Sequence, residues 1–320
     1  MPKKAYLTTK DILLFNYLFI FRILAGFLPL RLVRLCCIPV ANIYSALYIR
    51  KQKSLQDRLN LAFKERKTDL EIQNIAVNII RNALFRMVDD IILNRLSAED
   101  LLQCSVINGL ENVESALSAK NGVILVSGHF FCNRVGKRLL HHMGFPILNI
   151  RNEFASGPGT GSLSEKYLKR YAKKMLDKVI SDFVYIHQKG AGLQILKRLR
   201  GNGLVNIHLD AIQSFHAILL PFLGLSRPFP TGFLRLAQAT GTALVPMLCL
   251  GNSKSFTVDL GTSVALHKNA ATTSGMRTTL EQLVRILESQ IEQYPDQWGG
   301  WLWDQSSKTT RSQSQNDHKF

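Results

Sequence analysis

The stretch GVILVSGHFFCN, residues 122–133, decides the fold class. An apolar run over 123–126 is followed by Ser127, Gly128 and His129, and a helical pattern begins at Asn133. A short apolar run that ends at a glycine and leads into a helix predicts one strand-turn-helix unit of an α/β sheet. Open α/β sheets bind their ligands beyond the carboxyl ends of the strands, so His129 is the first candidate functional residue.

The same alternation continues to residue 293 and predicts an α/β fold with a central mixed sheet flanked by helices. The expected strands cover residues 122–127, 145–150, 183–187, 204–208 and 243–250. The expected helices cover residues 133–143, 163–176, 191–199, 232–239 and 273–293.

The residues before this core divide into two segments. Residues 1–50 are expected to form an apolar, membrane-associated helical region, and residues 51–121 a helical segment that packs on the core. In the second segment, apolar residues recur at helical spacing from Ile72 to Leu84, and Ser97 with Asp100 predicts a helix start. Residues 122–304 would then be the α/β core, and the polar residues 305–320 a disordered tail.

Residues 12–49 are almost entirely apolar and carry only Arg22, Arg31 and Arg34 as charges. The uncharged runs between these arginines are shorter than the roughly 18 to 20 residues that cross a bilayer. Apolar runs with aromatic residues and interspersed arginines are typical of helices that lie in a membrane interface. A secretory signal and a core hairpin of a soluble protein are the competing interpretations.

The chain of 320 residues has 40 Lys and Arg against 23 Asp and Glu, a net charge of +17, which predicts an anionic partner. The basic residues are spread along the chain rather than clustered, so nucleic acid is not the expected partner. The five cysteines lack Cys-x-x-Cys spacing, which excludes a zinc ribbon and indicates free thiols.

The segment 122–133 resembles the motif of the bacterial lipid A lauroyl and myristoyl acyltransferases, a family within the lysophospholipid acyltransferase-like group. The resemblance covers roughly residues 10–303 and includes four further segments in the family's order. These are Arg58 to Phe63, Gly203 to Gln213, Pro221 to Pro246, and Tyr294 to Trp298. It implies a fold like that of glycerol-3-phosphate acyltransferases and an enzyme that needs no cofactor.

The resemblance also implies a mechanism in which the motif histidine, here His129, deprotonates a hydroxyl that attacks an acyl thioester. In the family an acid follows that histidine after four residues, whereas this chain has Arg134 there. A guanidinium cannot accept the imidazole proton, so another carboxylate must orient His129 if the chain is an enzyme. Asp210, beyond the strand 204–208, is the first candidate for that catalytic role, and Glu153 is the second.

Several residues near the expected carboxyl edge are candidates for substrate binding. Arg134 and Arg151 could clamp a phosphate or carboxylate, and Lys189 falls where the family often has a basic residue. Asn133, Glu153 and Gln213 complete this set. His208 and Asp210 stand two apart at the end of a predicted strand, and we expect them to face opposite sides and to hold no metal ion.

The sequence thus predicts an O-acyltransferase of lipid A and lipopolysaccharide biosynthesis, bound to the cytoplasmic face of the bacterial inner membrane. Its expected partners are an anionic membrane surface, an acyl donor carried by acyl carrier protein or coenzyme A, and a glycolipid acceptor. Because of Arg134, a degenerate relative that binds lipid or acyl carrier protein without turnover is the alternative.

Overall fold

A computed structural model describes residues 19–20, 22–47, 49–151, 182–211, 216–252, 254–267 and 272–303. The expected helix over 163–176 and the expected tail after 304 lie outside these ranges. So do Glu153 and Gln213.

A seven-stranded sheet forms the centre of the molecule. In spatial order it is β1-β9-β8-β2-β5-β3-β4, and only the β8-β9 pair is antiparallel. A separate antiparallel hairpin consists of β6 and β7. The strands are β1 Ser105–Asn108, β2 Val123–Ser127, β3 Ile147–Arg151, β4 Phe183–Tyr185, β5 Leu204–His208, β6 Ala217–Phe222, β7 Leu225–Pro230, β8 Ala243–Gly251 and β9 Phe256–Leu260.

Helices cover both faces of this sheet, as parallel strands joined by helical crossovers require. The helices named here are α1 Leu30–Leu47, α2 Ile49–Phe63, α3 Asp69–Ile92, α4 Ala98–Gln103, α5 Leu110–Ser118, α6 Asn133–His142, α7 Ala191–Arg200, α8 Gly232–Thr240, α9 Thr273–Gln293 and α10 Gly300–Trp303.

Alternate residues of the central strands enter two separate apolar layers. Ile124 and Val126 of β2 pack with α2, α7, α8 and α9, whereas Val123 and Leu125 pack with α1, α5, α6 and the second half of α3. Every residue of β2 is therefore buried. This explains why the strand appears in the sequence as a continuous apolar run rather than an alternating one.

The expected central mixed sheet flanked by helices is confirmed, with five predicted strands close to their observed bounds. Three features of the sheets were not predicted. Strand β1 comes from the stretch expected to be wholly helical, and its alternate residues are half-buried and exposed because it lies at the sheet edge. Strand β9 and the β6-β7 hairpin likewise alternate between more buried and more exposed residues. Their apolar runs are correspondingly interrupted.

The expected stripe between Ile72 and Leu84 is buried or half-buried on α3, and Thr68 caps this helix in a capping box with Glu71. Ser97 caps α4 in the same way through Asp100. Each box satisfies backbone N–H groups that the first helical turn leaves without intrahelical partners. Both helix starts therefore follow from local sequence.

The N-terminal helix α1 has two apolar sides. Val33, Cys37 and Ala41 are buried against the core, whereas Leu32, Leu35 and Ile43 are among the exposed apolar side chains. None of the helices within the described ranges combines the length and apolar character that crossing a bilayer requires.

A buried ion pair fixes α1 to the core. The Arg34 side chain donates through Nε to Asp89 Oδ1 at 3.0 Å and through a terminal nitrogen to Oδ2 at 2.6 Å. Both side chains are almost completely buried, and the guanidinium also lies over the Phe256 ring. The next residue of α3, Asp90, pairs instead with α6, so the two neighbouring acids join α3 to two different helices.

Candidate active site

The turn that carries His129 is held by its own neighbours. A side chain at Gly128 would place its Cβ 2.5 Å from Leu287 Cδ1, so any larger residue there would displace the Leu287 side chain of α9. The buried Asn133 side chain donates through Nδ2 to the carbonyl oxygen of Gly128. The His129 carbonyl accepts a hydrogen bond from the Gly299 N–H at 2.8 Å.

Asp210 contacts His129 through both carboxylate oxygens. His129 Nδ1 lies 2.6 Å from Asp210 Oδ1, and the His129 backbone N–H donates to Oδ2 at 2.9 Å. A carboxylate can only accept, so Nδ1 carries the hydrogen and Nε2 carries the lone pair of the neutral ring. The His129 side chain is 33% exposed, whereas Asp210 is buried. This arrangement can orient an imidazole as a base and stabilise its protonated form.

Two residues from distant segments hold Asp210 in place. The indole Nε1 of Trp298 donates to Asp210 Oδ2 at 2.6 Å, and the buried Arg227 on β7 donates to the Asp210 backbone oxygen at 2.6 Å. Burial alone would raise the pKa of Asp210, but the charge and hydrogen bond of His129 outweigh it. Together with Arg227, they hold the pKa of this carboxyl well below its usual range.

His208 lies against the other side of this group. Its ring stacks on the His129 ring with centroids 4.1 Å apart and planes 20° apart. His208 Nδ1 is 3.2 Å from both the Gly128 carbonyl oxygen and Ser127 Oγ, and Nε2 is 3.2 Å from Lys137 Nζ. Burial, followed by His129 and Lys137, lowers the pKa of His208 well below its ordinary value.

The expectation that His208 and Asp210 face apart is wrong. Side chains of a strand alternate between its two faces with a period of two, so residues two apart share a face. Strand β5 ends at His208, and Asp210 follows in the turn directly beyond it. His129, His208 and Asp210 each bring a potential ligand atom within 4.8 Å of the others. Their hydrogen bonds already use His129 Nδ1 and both His208 nitrogens, so an ion would have to displace these partners.

Arg134 forms an ion pair with Asp90 of α3. The positive charge of its guanidinium is therefore balanced by Asp90 on α3, whereas the carboxylate that contacts His129 is Asp210. Arg86 on α3 lies near enough to interact electrostatically with both groups. Burial, with a further contribution from Arg134, lowers the pKa of Arg86 to about 10.

The remaining candidates for substrate binding are only partly gathered at this edge. Arg151 ends β3 with its guanidinium 3.7 Å from the centre of the Phe183 ring, and Lys189 is exposed in the turn after β4. Both follow the carboxyl ends of strands in the same sheet. A cleft of about 610 Å³ lies instead at the amino ends of β3 and β5, away from His129.

Sequence reasoning missed three residues of this site: Arg227, Trp298 and the buried Lys137. Arg227 belongs to the hairpin that was not predicted, and Trp298 enters from beyond α9. Lys137 lies on α6, the helix that also carries Arg134. Its spacing of four residues from the buried Asn133 places it on the inward side of α6, which is the signal that could have found it.

A comparison with known families agrees with this geometry. The sequence model of the family described as bacterial lipid A biosynthesis acyltransferase matches residues 2–305. The chain belongs to this family. It is therefore related to acyltransferases over nearly its whole length, including the helices before the sheet. A search of curated proteins found no match to the chain.

Proposed function

We propose that this lipid A acyltransferase family member moves a fatty acyl chain from a thioester to a hydroxyl of a glycolipid, with His129 as the general base. The observation that carries the proposal is the contact between His129 Nδ1 and Asp210 Oδ1 at 2.6 Å. Asp210 supplies the carboxylate that this chain lacks at the motif position, where Arg134 stands. The other two N–H groups on this carboxylate, from the His129 backbone and Trp298, favour its ionised form.

In the proposed reaction, His129 Nε2 removes the proton of the acceptor hydroxyl. The hydroxyl oxygen then attacks the thioester carbonyl carbon, the new C–O bond forms, and the C–S bond breaks. The thiolate leaves and takes the proton from the imidazolium. Asp210 acts as a positioning residue, because its charge stabilises the imidazolium while Nδ1 stays protonated.

The proposed substrates are anionic, in keeping with the charge of +17. Acyl carrier protein is acidic and coenzyme A is polyphosphorylated, so a basic surface favours either donor. Arg151 and Lys189 are the described residues that we assign to anion contacts at this edge. Arg134 is paired with Asp90, so we assign it an anion contact only for a ligand that binds next to that carboxylate. Asn133 is buried and holds the Gly128 turn. Its substrate contact, and those of Glu153 and Gln213, remain predictions.

The proposed location is the cytoplasmic face of the bacterial inner membrane. The N-terminal region contributes seven exposed apolar side chains, which are Phe19, Ile20, Ile23, Phe27, Leu32, Leu35 and Ile43. Arg22 and Arg31 are exposed in the same region. Apolar side chains beside arginines suit insertion of one helix side below anionic head groups.

Acyl transfer from a labelled thioester to lipid acceptors in membranes tests this proposal. His129→Ala is expected to abolish transfer, and Asp210→Asn to lower kcat by about 10³- to 10⁴-fold, as neutralising a triad carboxylate does. Asp57→Asn, the same change at an exposed site on α2, is the control and should leave kcat unchanged. If the wild-type protein never exceeds His129→Ala with matched substrates, the degenerate, ligand-binding alternative holds instead.

A further inference from the structure

Lys137 and His208 form a buried polar pair next to the proposed base. The Lys137 side chain reaches from α6 to the end of β5, where its Nζ lies 3.2 Å from His208 Nε2. Lys137 is only 7% exposed. The family mechanism needs neither residue, yet one of them stacks directly on His129.

The hydrogen bonds define the tautomer of His208. Its Nδ1 faces the Gly128 carbonyl oxygen, which can only accept, so Nδ1 carries the hydrogen. In the neutral ring, Nε2 is then an acceptor, and the group that faces it is the Lys137 amine. This amine has N–H groups to donate whether or not it is protonated.

The charges around this pair disfavour a second proton on His208. Burial lowers the proton affinity of His208 most, and His129 and Lys137 lower it further. Asp210 and the hydrogen bond to the Gly128 carbonyl act in the opposite direction. Burial is the strongest influence on the pKa of Lys137 and lowers it, and the charges of Arg134 and Arg151 lower it further. Burial and these two guanidinium groups lower the pKa of Lys137 to about 7, although the Cys249 thiol opposes them.

We propose that Lys137 and His208 are positioning residues for His129: Lys137 keeps the ring of His208 neutral, and that ring supports the His129 ring while it takes up the acceptor proton. An aromatic face attracts a cation that lies against it, so a neutral ring at 208 favours the imidazolium that forms at 129. A protonated ring at 208 would repel it. The kinetic part of this inference rests on the proposed function of His129.

The protonation of His208 can be measured without any acyl transfer. In protein labelled with ¹⁵N-histidine, we expect wild-type His208 to stay in the neutral Nδ1–H form at pH values where an ordinary histidine takes up a proton. Lys137→Met, which removes the donor, should raise the pH at which His208 takes up a proton by about one unit or more. Lys137→Gln keeps an N–H donor and should preserve the neutral form, as should Lys197→Met at an exposed site on α7. An unchanged titration in Lys137→Met, or a protonated His208 in the wild type at pH 7, overturns the proposal.

Steady-state kinetics test the support that the ring gives to His129. His208→Ala should lower kcat about tenfold, which corresponds to an increase of about 1.4 kcal/mol in the activation free energy. KM for donor and acceptor should change less than about twofold. His208→Phe keeps a flat ring that cannot be protonated. It should retain kcat within about threefold and make kcat insensitive to Lys137→Met. An unchanged kcat in His208→Ala contradicts the positioning role. If even the wild-type protein transfers no acyl group, the proposed function fails, and the ¹⁵N titration still decides the protonation of His208.

Discussion

Arg134 stands where the family motif has an acid, and the carboxylate that compensates it comes from α3. Asp90, its partner, is 8% exposed. Arg134→Glu would restore the acid of the motif, but we expect no gain in acyl transfer, because Asp210 already occupies His129 Nδ1. Asp90 would lose its cation and face a second carboxylate. The free energy of unfolding should fall by about 2 kcal/mol or more, measured by urea denaturation.

Two further variants make this prediction specific. Arg200→Glu, the same charge reversal at an exposed position on α7, should leave stability nearly unchanged. Asp90→Arg combined with Arg134→Glu should recover part of the loss by exchanging the two charges. An increase of kcat in Arg134→Glu would show that position 134, and not Asp210, is where His129 needs its acid.

Lys137 predicts a measurable pH dependence of stability. Its pKa is about 7 in the folded protein because of burial, against about 10.4 in an unfolded chain. Between these values the unfolded state holds more protons, so this residue makes the free energy of unfolding rise with pH from about 7 to about 10. Below pH 7 both states are protonated and the full cost of the buried charge remains.

Comparing variants isolates this contribution. The difference in urea midpoint between wild type and Lys137→Met should grow in favour of the wild type as pH rises from about 7 to 10. The buried thiol of Cys132 acts in the opposite direction, since burial raises its pKa to about 12, but it is common to both proteins. A constant difference across this range would mean that Lys137 keeps an ordinary pKa.

At the scale of elements, the sequence best predicted the strands that are buried on both faces of the sheet. Strand β2 is an apolar run over residues 123–126 and β5 is buried over residues 204–207, and both were predicted close to their bounds. Strand β1 was missed because its side chains alternate in burial at the sheet edge. His129 and Asp210 were predicted because their motif segments follow strands. Trp298 was not, because its contact with Asp210 depends on how the chain returns after α9.

Helix α1 carries the apolar surface that we assign to lipid. Leu32, Leu35 and Ile43 are 46%, 50% and 61% exposed, and the opposite side of the helix is fixed to the core. Replacing these three residues by Gln should weaken binding to anionic vesicles by roughly a hundredfold, about 1 kcal/mol for each side chain. Sedimentation with vesicles measures this. Leu193→Gln with Leu219→Gln, at exposed apolar positions elsewhere, should bind like the wild type.

This apolar surface is physically connected to the proposed active site. Arg34 on α1 interacts with Asp89 of α3 and also with the thiol of Cys132, three residues after His129. Asp90, next to Asp89, pairs with Arg134 on α6. Helix α1, with its exposed apolar side chains, and the helix that follows His129 therefore contact the same turn of α3.

For the whole molecule, the proposed membrane binding would combine two forces that salt can separate. The charge of +17 attracts anionic head groups over a screening length of about 10 Å at 0.1 M salt, which falls to about 3 Å at 1 M. The apolar contacts of α1 do not depend on this screening. We therefore expect vesicle binding to fall steeply between these salt concentrations and then to level off at a residual value.

The residual binding identifies the apolar contribution. For wild-type protein at 1 M salt, vesicles of anionic and of zwitterionic lipid should bind about equally, because screening removes the difference between their surfaces. The variant with Gln at 32, 35 and 43 should show the same steep salt dependence and lose most of the residual. Binding of the wild type that vanishes at 1 M salt would mean that charge alone holds the protein to the membrane. In that case the exposed side of α1 has another partner.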